Sequence, residues 1–407
     1  MPTAGPPTRR QLLGWTLSAG AGALIGCGGG PMRASPNAAF LALPQAPSPG
    51  RVLLGMYSSS QMRGLCDRVV PEISDMRWLR RGDSVFVKLA CNSPNPHPSV
   101  TDPEAVAEMV RFLKAQGAGR VFVGDQAGVE HVRLTRDGRV SSTRELLARN
   151  GLRDALVRAG GKVHCFDDQG WDGYFQAEPD FESVWKQDLW LPRILEQVDH
   201  VVNLPRLGAH SLAGYTCGIK SAVGYLRDDS RLILHQRGAS FYERIAEINH
   251  VRPLRDKLRM TVTLCHAALT NIGPDFGAVR RFDGCVALAS ASLIDHDALA
   301  SALLPWLDRG HTSMFDLYSP FPDHVNYWNR GLVREAWGEQ SLEAYEQITA
   351  FRLGGSVEHD AGLSHLGRLQ RYRPSKIQVL RQGDSIPQSL VVHLGQAAGG
   401  LFALPRA

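Results

Sequence analysis

The sequence VFVKLAC at Val85–Cys91, DPEAVAEMVRFLKAQG at Asp102–Gly117 and RVFVGD at Arg120–Asp125 decides the fold class of this chain. The first and last of these segments are mostly apolar runs of strand length. Between them, Asp102 can cap a helix and Pro103 suits the first helical position, while a glycine ends the segment. A strand, a helix and a second strand in this order predict two parallel neighbouring strands joined by a right-handed crossover.

The same alternation of strands and helices extends in both directions from this unit. Towards the N-terminus, Arg51–Tyr57 predicts a strand and Ser60–Val70 a helix. Towards the C-terminus, the patterns predict strands over Lys162–Phe166, from Val201, over Leu258–Leu264 and over Gly284–Ala289, and helices over Thr143–Ala159, Leu191–Gln197, Phe241–Asn249 and Asp295–Leu307. This order predicts an α/β fold, with a mostly parallel sheet covered by helices on both faces.

Residues 311–407 are less regular than residues 51–310, which hold the predicted α/β domain. The stretch from His311 to Arg330 is aromatic and loop-like. Beyond it, the patterns predict a helix over Gln340–Phe351 and strands over Lys376–Leu380 and Leu390–Leu394. This C-terminal extension can pack over the sheet or form a small second lobe, and the sequence leaves both arrangements open.

The chain is organised around Val201–Leu226, where an apolar run ends at Pro205 and is followed by Arg206 and His210. Ser211 is a candidate N-cap for a helix with apolar positions at helical spacing, namely Leu212, Tyr215, Ile219, Ala222 and Leu226. A second face of this predicted helix carries Gly214, Cys217, Gly218 and Lys220. Two glycines on one face indicate that a backbone or a ligand approaches closely. A strand end, a cation, a histidine and a helix N-terminus together predict an anion site.

Polar side chains follow several of the predicted strands. The strand ends carry Cys91-Asn92, Asp125, Asp167-Asp168, Arg206 with His210, and Cys265-His266. Ligands of open α/β sheets bind beyond the carboxyl ends of the strands, so a site is expected at this edge. We assign ligand or cofactor binding at the edge to four residues: Arg206, Ser211, Asp125 and Asn92. The alternative interpretation is that strand-end loops are polar in most proteins.

The N-terminus predicts export through the twin-arginine route. Arg9 and Arg10 stand in the hexapeptide TRRQLL, and an apolar stretch without charge, Leu12–Ile25, follows them. This stretch ends in LIGC, a lipobox in which Cys27 becomes the acylated N-terminus of the mature protein. An ordinary membrane anchor or a chance pair of arginines is the alternative. We therefore expect residues 1–27 to be a signal.

This signal implies a location and partners. The protein is expected to be a lipoprotein at the periplasmic or extracytoplasmic face of a bacterial membrane, with the twin-arginine translocase and the membrane as partners. Residues 28–50 are rich in Gly, Pro, Ala and Ser and predict a flexible tether. Cleavage removes two arginines and no acidic residue, so the formal net charge falls from +5 to +3. A balance this close to neutral gives no argument for nucleic-acid binding.

Six cysteines follow Cys27 in the chain: Cys66, Cys91, Cys165, Cys217, Cys265 and Cys285. None belongs to a CxxC pair and none has ferredoxin spacing, so the chain has no iron–sulfur cluster motif. We expect these cysteines to be small buried apolar residues, and one or two disulfides remain an alternative in an oxidising compartment.

Residues 51–380 resemble Domain of Unknown Function 362 (DUF362) in its twin-arginine-exported form. Five segments carry the resemblance: Lys88–Cys91 is similar to a Lys-x-Asn-Cys strand, Thr101–Glu104 to a Thr-His-Pro-Glu helix start, Leu204–Lys220 to a Pro-x-Leu-Lys-x-His, Ala-Gly-x-Thr and Leu-Lys-Asn run, Gly273-Pro274 to a Gly-Pro turn, and Ala289–Asp297 to an Asp-Pro-Val-Ala-Leu-Asp segment. Some relatives are fused to ferredoxin modules, which the cysteine spacing here excludes. The resemblance carries over no established activity.

The chain departs from this pattern at five places. The departures are Ala90 for the family Asn, Asp102 for the His before the helix proline, Ser221 for the Asn after the central Lys, His266 for an Asp, and Ser292-Leu293 for the Asp-Pro. The positions that match best are His210, Lys220, Gly273-Pro274 and Asp297. These departures indicate a polar site that has changed its ligand or lost its activity.

Two kinds of chemistry fit the candidate residues. A metal site would use His210, His266 and Cys265, although no close pair has a diagnostic spacing. An enzyme would use Lys220 and His210 with a carboxylate, for which Asp297 is the first choice, in proton transfer. Which metal or cofactor is bound, if any, is left open by the sequence.

Binding without chemistry is the third interpretation. A lipid-anchored protein can capture a small anion, or act as an assembly or maturation partner, through Arg206, His210 and the predicted helix end at Ser211. An enzyme is favoured over a binding protein only by analogy, because large parallel sheets with convergent polar ends usually host chemistry.

Overall fold

The structure, a computed structural model, describes residues 50–58, 60, 62–210, 213–237, 240–270, 273–275, 277–308, 361–372, 377–384, 386–397 and 402–403. Several predictions lie outside these residues: the export arginines Arg9 and Arg10, the lipidation site Cys27, the tether, the cap Ser211, the aromatic stretch His311–Arg330 and the helix Gln340–Phe351. None of the described helices is both long enough and apolar enough to span a bilayer.

The strands are β1 (Arg51–Tyr57), β2 (Ser84–Lys88), β3 (Arg120–Gly124), β4 (Arg133–Thr135), β5 (Gly138–Val140), β6 (Lys162–Val163), β7 (Tyr174–Gln176), β8 (Trp190–Pro192), β9 (His200–Asn203), β10 (Gly208–His210), β11 (Gly214–Thr216), β12 (Leu258–Leu269), β13 (Val279–Ser290), β14 (Ile377–Gly383) and β15 (Phe402–Ala403).

The helices are α1 (Leu65–Val69), α2 (Pro103–Ala115), α3 (Thr143–Arg149), α4 (Leu152–Arg158), α5 (Ile194–Gln197), α6 (Gly218–Ser221), α7 (Asp228–Gln236), α8 (Phe241–Ile248), α9 (Arg252–Arg255), α10 (Leu293–Asp308), α11 (Ala361–Leu369) and α12 (Gln388–Gln396). Short 3-10 turns lie at Val70–Glu72, Phe166–Gln169, Trp171–Gly173 and Ala222–Tyr225.

One large sheet organises the described residues. Its strands follow the order β15-β14-β1-β13-β12-β9-β2-β3-β6, and the hairpin of β10 and β11 joins beside the end of β12. Along this path β13 alone runs opposite to its neighbours, and every other pair is parallel. The predicted α/β fold with a mostly parallel sheet is therefore confirmed.

The central strand–helix–strand unit forms as the sequence predicts. β2 and β3 pair in parallel from Ser84 opposite Arg120 to Lys88 opposite Gly124. α2 connects them, because the Asp102 side chain accepts a hydrogen bond from the backbone N–H of Glu104 and proline takes the first helical position. The two strands therefore end at the same edge of the sheet, which brings the residues after them together.

The sheet is buried on both faces. Val85 and Val87 of β2 belong to one buried apolar cluster, which also includes the inner face of α2. Phe86, which points the other way, belongs to a second cluster with residues of α8 and α10. A strand that is apolar at every position is expected where helices cover both faces, and this burial fixes the register of the sheet edge.

The predicted start of the helix, directly after Ser211, is wrong. Residues 208–210 and 214–216 pair as an antiparallel hairpin, with His210 opposite Gly214, and the helix begins only at Gly218. Gly214 has a φ of 75°, a left-handed conformation that favours glycine and suits a turn more than a helix. Pairing of Gly208 with Leu269 of β12 holds the hairpin in the sheet.

Several predicted boundaries also change. Leu390–Leu394, predicted as a strand, lies within helix α12, where Leu390 and Leu394 are one turn apart and both buried. The predicted helix at Thr143–Ala159 is broken into α3 and α4 at Gly151, whose φ is 85°. Other elements are shorter or longer than predicted: Ser60–Val70 is helical only over Leu65–Val69, Lys162–Phe166 is a strand only at its start, Leu191–Gln197 begins in strand β8, and the strand from Leu258 continues to Leu269.

Candidate functional site

A buried ion pair joins the ends of β2 and β3. The Nζ of Lys88 lies 2.7 Å from an Asp125 carboxylate oxygen, and both side chains are almost inaccessible to solvent. Lys88 also donates to the carbonyl of Leu89 at 2.8 Å. Asp125 accepts the backbone N–H groups of Cys91 and Gln126, each at 2.8 Å. Burial lowers the pKa of Lys88, and the Asp125 charge acts in the opposite direction.

The chain crosses closely over this pair. At Gly224, in the 3-10 turn at Ala222–Tyr225, a Cβ atom would collide with the Asp125 carboxylate and lie 2.6 Å from Lys88 Nζ. The Tyr225 ring also covers Lys88, with 5.3 Å between Nζ and the ring centroid. Only glycine permits this approach, so the turn and the two strand ends form one packed unit.

Arg231 of α7 ties the surrounding loops together. Its guanidinium donates to four backbone carbonyls, those of Leu226, Ala127, Gln126 and Gly224. The side chain is buried and carries its charge into the same region. Sequence patterns missed Arg231, because the helix that carries it was not predicted and its partners are backbone atoms far away in the chain.

Lys220 of α6 differs from Lys88 in having no carboxylate partner. Among the described residues, no carboxylate lies within 4.0 Å of its ammonium group, and Lys220 as a whole residue is half-buried. Burial, followed by the charges of Arg206, Arg231 and Lys88, lowers the pKa of Lys220 to about 7. Lys220 therefore lies among like charges and can gain or lose a proton near neutral pH.

Arg206, which follows β9, is a second cation of this kind. It is 3% exposed, and its one hydrogen bond to a described residue joins Nη1 to the carbonyl of Pro98 at 3.1 Å. No carboxylate of the described chain lies within ion-pair distance of it. Burial lowers the pKa of Arg206 to about 10, so the group remains charged at neutral pH.

His210, at the end of β10, lies close enough to these cations for its protonation to be affected. Its Nδ1 accepts the backbone N–H of Ala213 at 3.3 Å. Burial, and then the charges of Lys220 and Arg206, hold the pKa of His210 well below the usual range. His210 is therefore neutral at physiological pH and adds no positive charge to the Lys220 region.

Asp297, predicted as a catalytic carboxylate, holds the start of α6. One oxygen accepts the N–H of Gly218 at 2.9 Å, and the other accepts the N–H of Ile219 at 2.7 Å. His296 and Tyr215 contact the same carboxylate at 2.8 and 3.3 Å. The Asp297 side chain is fully buried, so its contacts fix the helix that carries Lys220.

The proposed metal ligands His210, His266 and Cys265 are not brought together. Cys265 packs in the apolar cluster that contains α10, while His266 contacts Asp102 near the N-terminus of α2. Within the described residues, two groups have three ligand atoms that all lie within 4.8 Å of one another: Cys217, His296 and Asp297, and separately Glu130, His131 and Asp275. The six cysteines after Cys27 are all buried thiols, and none is in a disulfide with another described residue.

Asn92, the last of the predicted ligand-binding residues, contacts a carboxylate that the sequence reasoning missed. Its side-chain amide lies 2.8 and 3.0 Å from the two oxygens of Asp275, which follows the Gly-Pro turn between β12 and β13. His131 lies 3.5 Å from the same carboxylate. The proximity of Asp275 to the Gly-Pro turn was the available signal, but its partners come from loops more than 140 residues earlier in the chain.

Comparison with protein families gives one assignment. The family described as Domain of unknown function (DUF362) matches residues 85–302, which are more than half of the chain. The chain belongs to this family. The matched DUF362 region contains Lys88, Asp125, Arg206, Lys220 and the other residues of the sheet edge.

Two further comparisons add little to the DUF362 assignment. No curated protein matches the chain. Among solved structures, the lactate racemase apoprotein from Thermoanaerobacterium thermosaccharolyticum is similar, with 11% sequence identity, a TM-score of 0.39, and coverage of 90% of this chain and 89% of that one.

Two departures from the DUF362 pattern turn out to be in contact. The sequence resemblance set Asp102 against a family His and His266 against a family Asp, and here the His266 Nδ1 lies 2.8 Å from an Asp102 oxygen. The His266 Nε2 lies 2.7 Å from the carbonyl of Ser60. With an acceptor at each ring nitrogen, His266 is doubly protonated, and mainly the Asp102 contact raises its pKa to about 9. Asp102 and His266 therefore form an ion pair at this place.

Proposed function

We propose that this DUF362 protein binds a small anion between Arg206 and Lys220, and that Lys220 exchanges a proton with the bound molecule. One observation carries the proposal: at the carboxyl edge of a parallel sheet, the charge of Arg206 lowers the pKa of Lys220, and neither cation has a carboxylate within 4.0 Å in the described part of the chain. Moving a charged side chain out of water costs several kcal/mol, and an oppositely charged partner normally offsets this cost. A ligand with negative charge would provide that partner.

The position of the pair agrees with this proposal. Ligands of open α/β sheets bind beyond the carboxyl ends of the strands, where Arg206 and the Lys88–Asp125 pair lie. Asp125 is already occupied by Lys88 and two backbone N–H groups, so it does not neutralise the other cations. The local excess of positive charge therefore favours an oxyanion, such as a carboxylate or a phosphate.

Lys220 supplies the proposed chemistry. A general acid or base works best when its pKa lies near the working pH, and the pKa of Lys220 is about 7. An anion bound beside Lys220 would raise that pKa and leave the amine as a proton donor. Removal of the ligand would return it towards the neutral form, in which it accepts a proton. This gives proton transfer to or from a small acid as the reaction class.

Binding without turnover is the second candidate, and one observation favours it. Catalytic lysines commonly act with a second group, but both oxygens of Asp297 are occupied by backbone N–H groups. A protein that only captures an anion needs the two cations and no proton acceptor. Such a protein would be a binding, assembly or maturation lipoprotein.

Sulfate and acetate are suitable probes, because neither changes its charge between pH 6 and pH 9. Isothermal titration at pH 6.5 should show binding, with at least a tenfold loss of affinity in Lys220→Met and in Arg206→Met, or about 1.4 kcal/mol. Affinity should fall as the pH rises through 7 in the wild type and stay constant in Lys220→Met. Lys257→Met is the matched control, since Lys257 is also a half-buried lysine but donates only to backbone carbonyls. Equal affinity in all variants would reject the site.

The same variants separate the two candidates. If the protein is an enzyme, Lys220→Met loses turnover of a carboxylic or phosphorylated substrate, whereas Lys220→Arg keeps binding but not proton transfer. If it is a binding protein, Lys220→Arg retains full function. Exchange of a carbon-bound hydrogen next to the carboxylate of the bound acid, followed in deuterated water by mass spectrometry, distinguishes these outcomes.

We also propose that the chain is exported by the twin-arginine translocase and anchored through Cys27 on the extracytoplasmic side of the membrane. The support is the sequence alone, in Arg9, Arg10 and the lipobox. Replacement of both arginines by lysine should retain the precursor in the cytoplasm, and Cys27→Ser should release the exported protein from the membrane fraction. The small net charge of the mature chain gives no reason to add nucleic acid as a partner.

A further inference from the structure

We propose that Glu130, His131 and Asp275 form a binding site for a divalent transition metal, next to the anion site but separate from it. Their ligand atoms all lie within 4.8 Å of one another. One imidazole nitrogen and two carboxylate oxygens are ligand types that zinc and other first-row divalent metals accept. None of the three residues belongs to the metal set predicted from the sequence.

The spacing of His131 and Asp275 suits a shared metal. Their closest nitrogen and oxygen atoms are 3.5 Å apart, a long direct contact that raises the pKa of His131. Two ligands that are each about 2.0–2.1 Å from a tetrahedral ion lie about 3.3 Å apart, which is close to this separation. The gap is therefore of the size that a bridging ion requires.

The surrounding residues hold Asp275 in place. The Asn92 amide contacts both carboxylate oxygens, and the Asp275 backbone carbonyl accepts hydrogen bonds from Asn95 at 3.2 Å and Ser99 at 2.8 Å. Metal ligands commonly have such partners, which fix the orientation of the ligating group. The Asp275 side chain is 9% exposed and the His131 side chain 29% exposed, so Asp275 is the more buried of these two ligands.

A close backbone contact brings His131 to the same place. The N–H of Gly128 donates to the carbonyl of Asn92 at 3.0 Å, and a Cβ at Gly128 would lie 2.8 Å from the Asn92 side-chain oxygen. The N–H of His131 in turn donates to the carbonyl of Gly128 at 2.9 Å. Glycine thus allows the loop to pack on Asn92, and the turn that follows positions His131 beside Asp275.

The other group of ligand types does not make a comparable site. In the group of Cys217, His296 and Asp297, both Asp297 oxygens accept backbone N–H groups, and His296 bonds to Asp297 and Thr263. All three side chains are buried, and burial raises the pKa of the Cys217 thiol well above its usual value. A metal there would have to displace an existing hydrogen-bond network and remove a proton from a thiol that resists it.

The charges of the site indicate what else it binds. Two carboxylates balance a divalent ion. His131 must lose its proton to bind a metal and then adds no charge, so the positive charge of Arg206 near Asp275 is left over. Arg206 weakens binding of the metal alone but favours an anion that completes the coordination shell. Three protein ligands leave a coordination position open for such an anion or for water.

The test uses the full mature chain, stripped of metal with a chelator and titrated with Zn²⁺ and with Co²⁺ by calorimetry and absorption. We expect one equivalent to bind, with at least a tenfold loss of affinity in His131→Gln and in Asp275→Asn. His200→Gln is the matched control, because His200 lies 2.9 Å from Asp83 but is in neither of the three-ligand groups. That variant should bind metal as the wild type does. His131 is more exposed than Asp275, so His131→Gln keeps the test valid if Asp275→Asn does not fold.

Three outcomes overturn the proposal: no stoichiometric binding by the wild type, unchanged binding in His131→Gln, or loss of binding in Cys217→Ser, which would move the metal to the buried group. The result is also independent of the proposed anion site. Lys220→Met should lose sulfate affinity and keep Zn²⁺, whereas His131→Gln should lose Zn²⁺ and keep at least part of the sulfate affinity.

Discussion

Two lysines at one edge of the sheet have opposite surroundings. Lys88 is 1% exposed and forms a 2.7 Å ion pair with Asp125, whereas Lys220 is partly exposed and has no carboxylate within 4.0 Å in the described chain. Burial lowers the pKa of both lysines. Only at Lys88 does a directly paired opposite charge, that of Asp125, act strongly in the other direction. A paired buried cation belongs to the architecture, and an unpaired one indicates where a ligand binds.

The largest expected effect comes from breaking the paired lysine. Lys88→Met leaves Asp125 as a buried charge without a cation, so we expect a loss of about 3–5 kcal/mol in the free energy of unfolding. Urea unfolding followed by tryptophan fluorescence measures it as a lower midpoint at constant slope. The double variant Lys88→Met/Asp125→Asn should lose less than the sum of the two single variants. Equal losses in Lys88→Met and Lys220→Met would remove the distinction between the two lysines.

The paired charge of His266 gives a smaller and pH-dependent effect. The folded pKa of about 9 lies above the ordinary value of 6.5, so the stabilisation is fully present below pH 6.5 and is lost as the pH rises through 9. His266→Gln should lower the free energy of unfolding by about 1–2 kcal/mol at pH 6 and by almost nothing at pH 10. The loss at pH 6 is smaller than is usual for a charged hydrogen bond, because the ring is partly exposed. Thermal unfolding across this pH range measures the difference.

A variant in which Asp102 and His266 are exchanged tests whether the two residues compensate each other. Asp102→His/His266→Asp should recover part of the stability that either single variant loses, because the ion pair is restored with its charges reversed. Recovery is expected to be incomplete, since Asp102 also caps α2. A double variant that is less stable than both single variants would show that the contact is incidental.

The difference between the two lysines also explains how far the sequence could predict the molecule. The strand–helix–strand unit around α2 was predictable, because each strand has an apolar centre of three residues and its helix has local start and stop signals. The polar edge was predictable from the same topology. The pairing of Lys88 with Asp125 was not, since it depends on which strands are neighbours and not on local spacing.

The stretch after Arg206 shows what local spacing misses. Its apolar residues recur at helical intervals, yet residues 208–210 and 214–216 pair as a hairpin, and Gly208 pairs with a strand residue more than 50 positions later. Such long-range pairing overrides local preference in short segments. Lys220 was nevertheless placed correctly on a helix, although its poorly compensated charge depends on Arg206, Arg231 and Lys88, which only the folded chain brings near.

The smallest expected effect on stability belongs to Lys220. Its folded pKa of about 7 lies below the ordinary 10.5, so the folded protein holds fewer protons than the unfolded chain between these values. The resulting destabilisation is fully present below pH 7 and disappears as the pH rises to the unfolded pKa of 10.5. Between pH 7 and pH 8, the free energy of unfolding of the wild type should therefore rise by up to about 1 kcal/mol relative to that of Lys220→Met. Saturating sulfate should abolish that gain, because an anion beside the amine raises the folded pKa. Stability that rises equally with pH in both proteins, with or without sulfate, would mean that Lys220 has a partner and that the comparison with Lys88 fails.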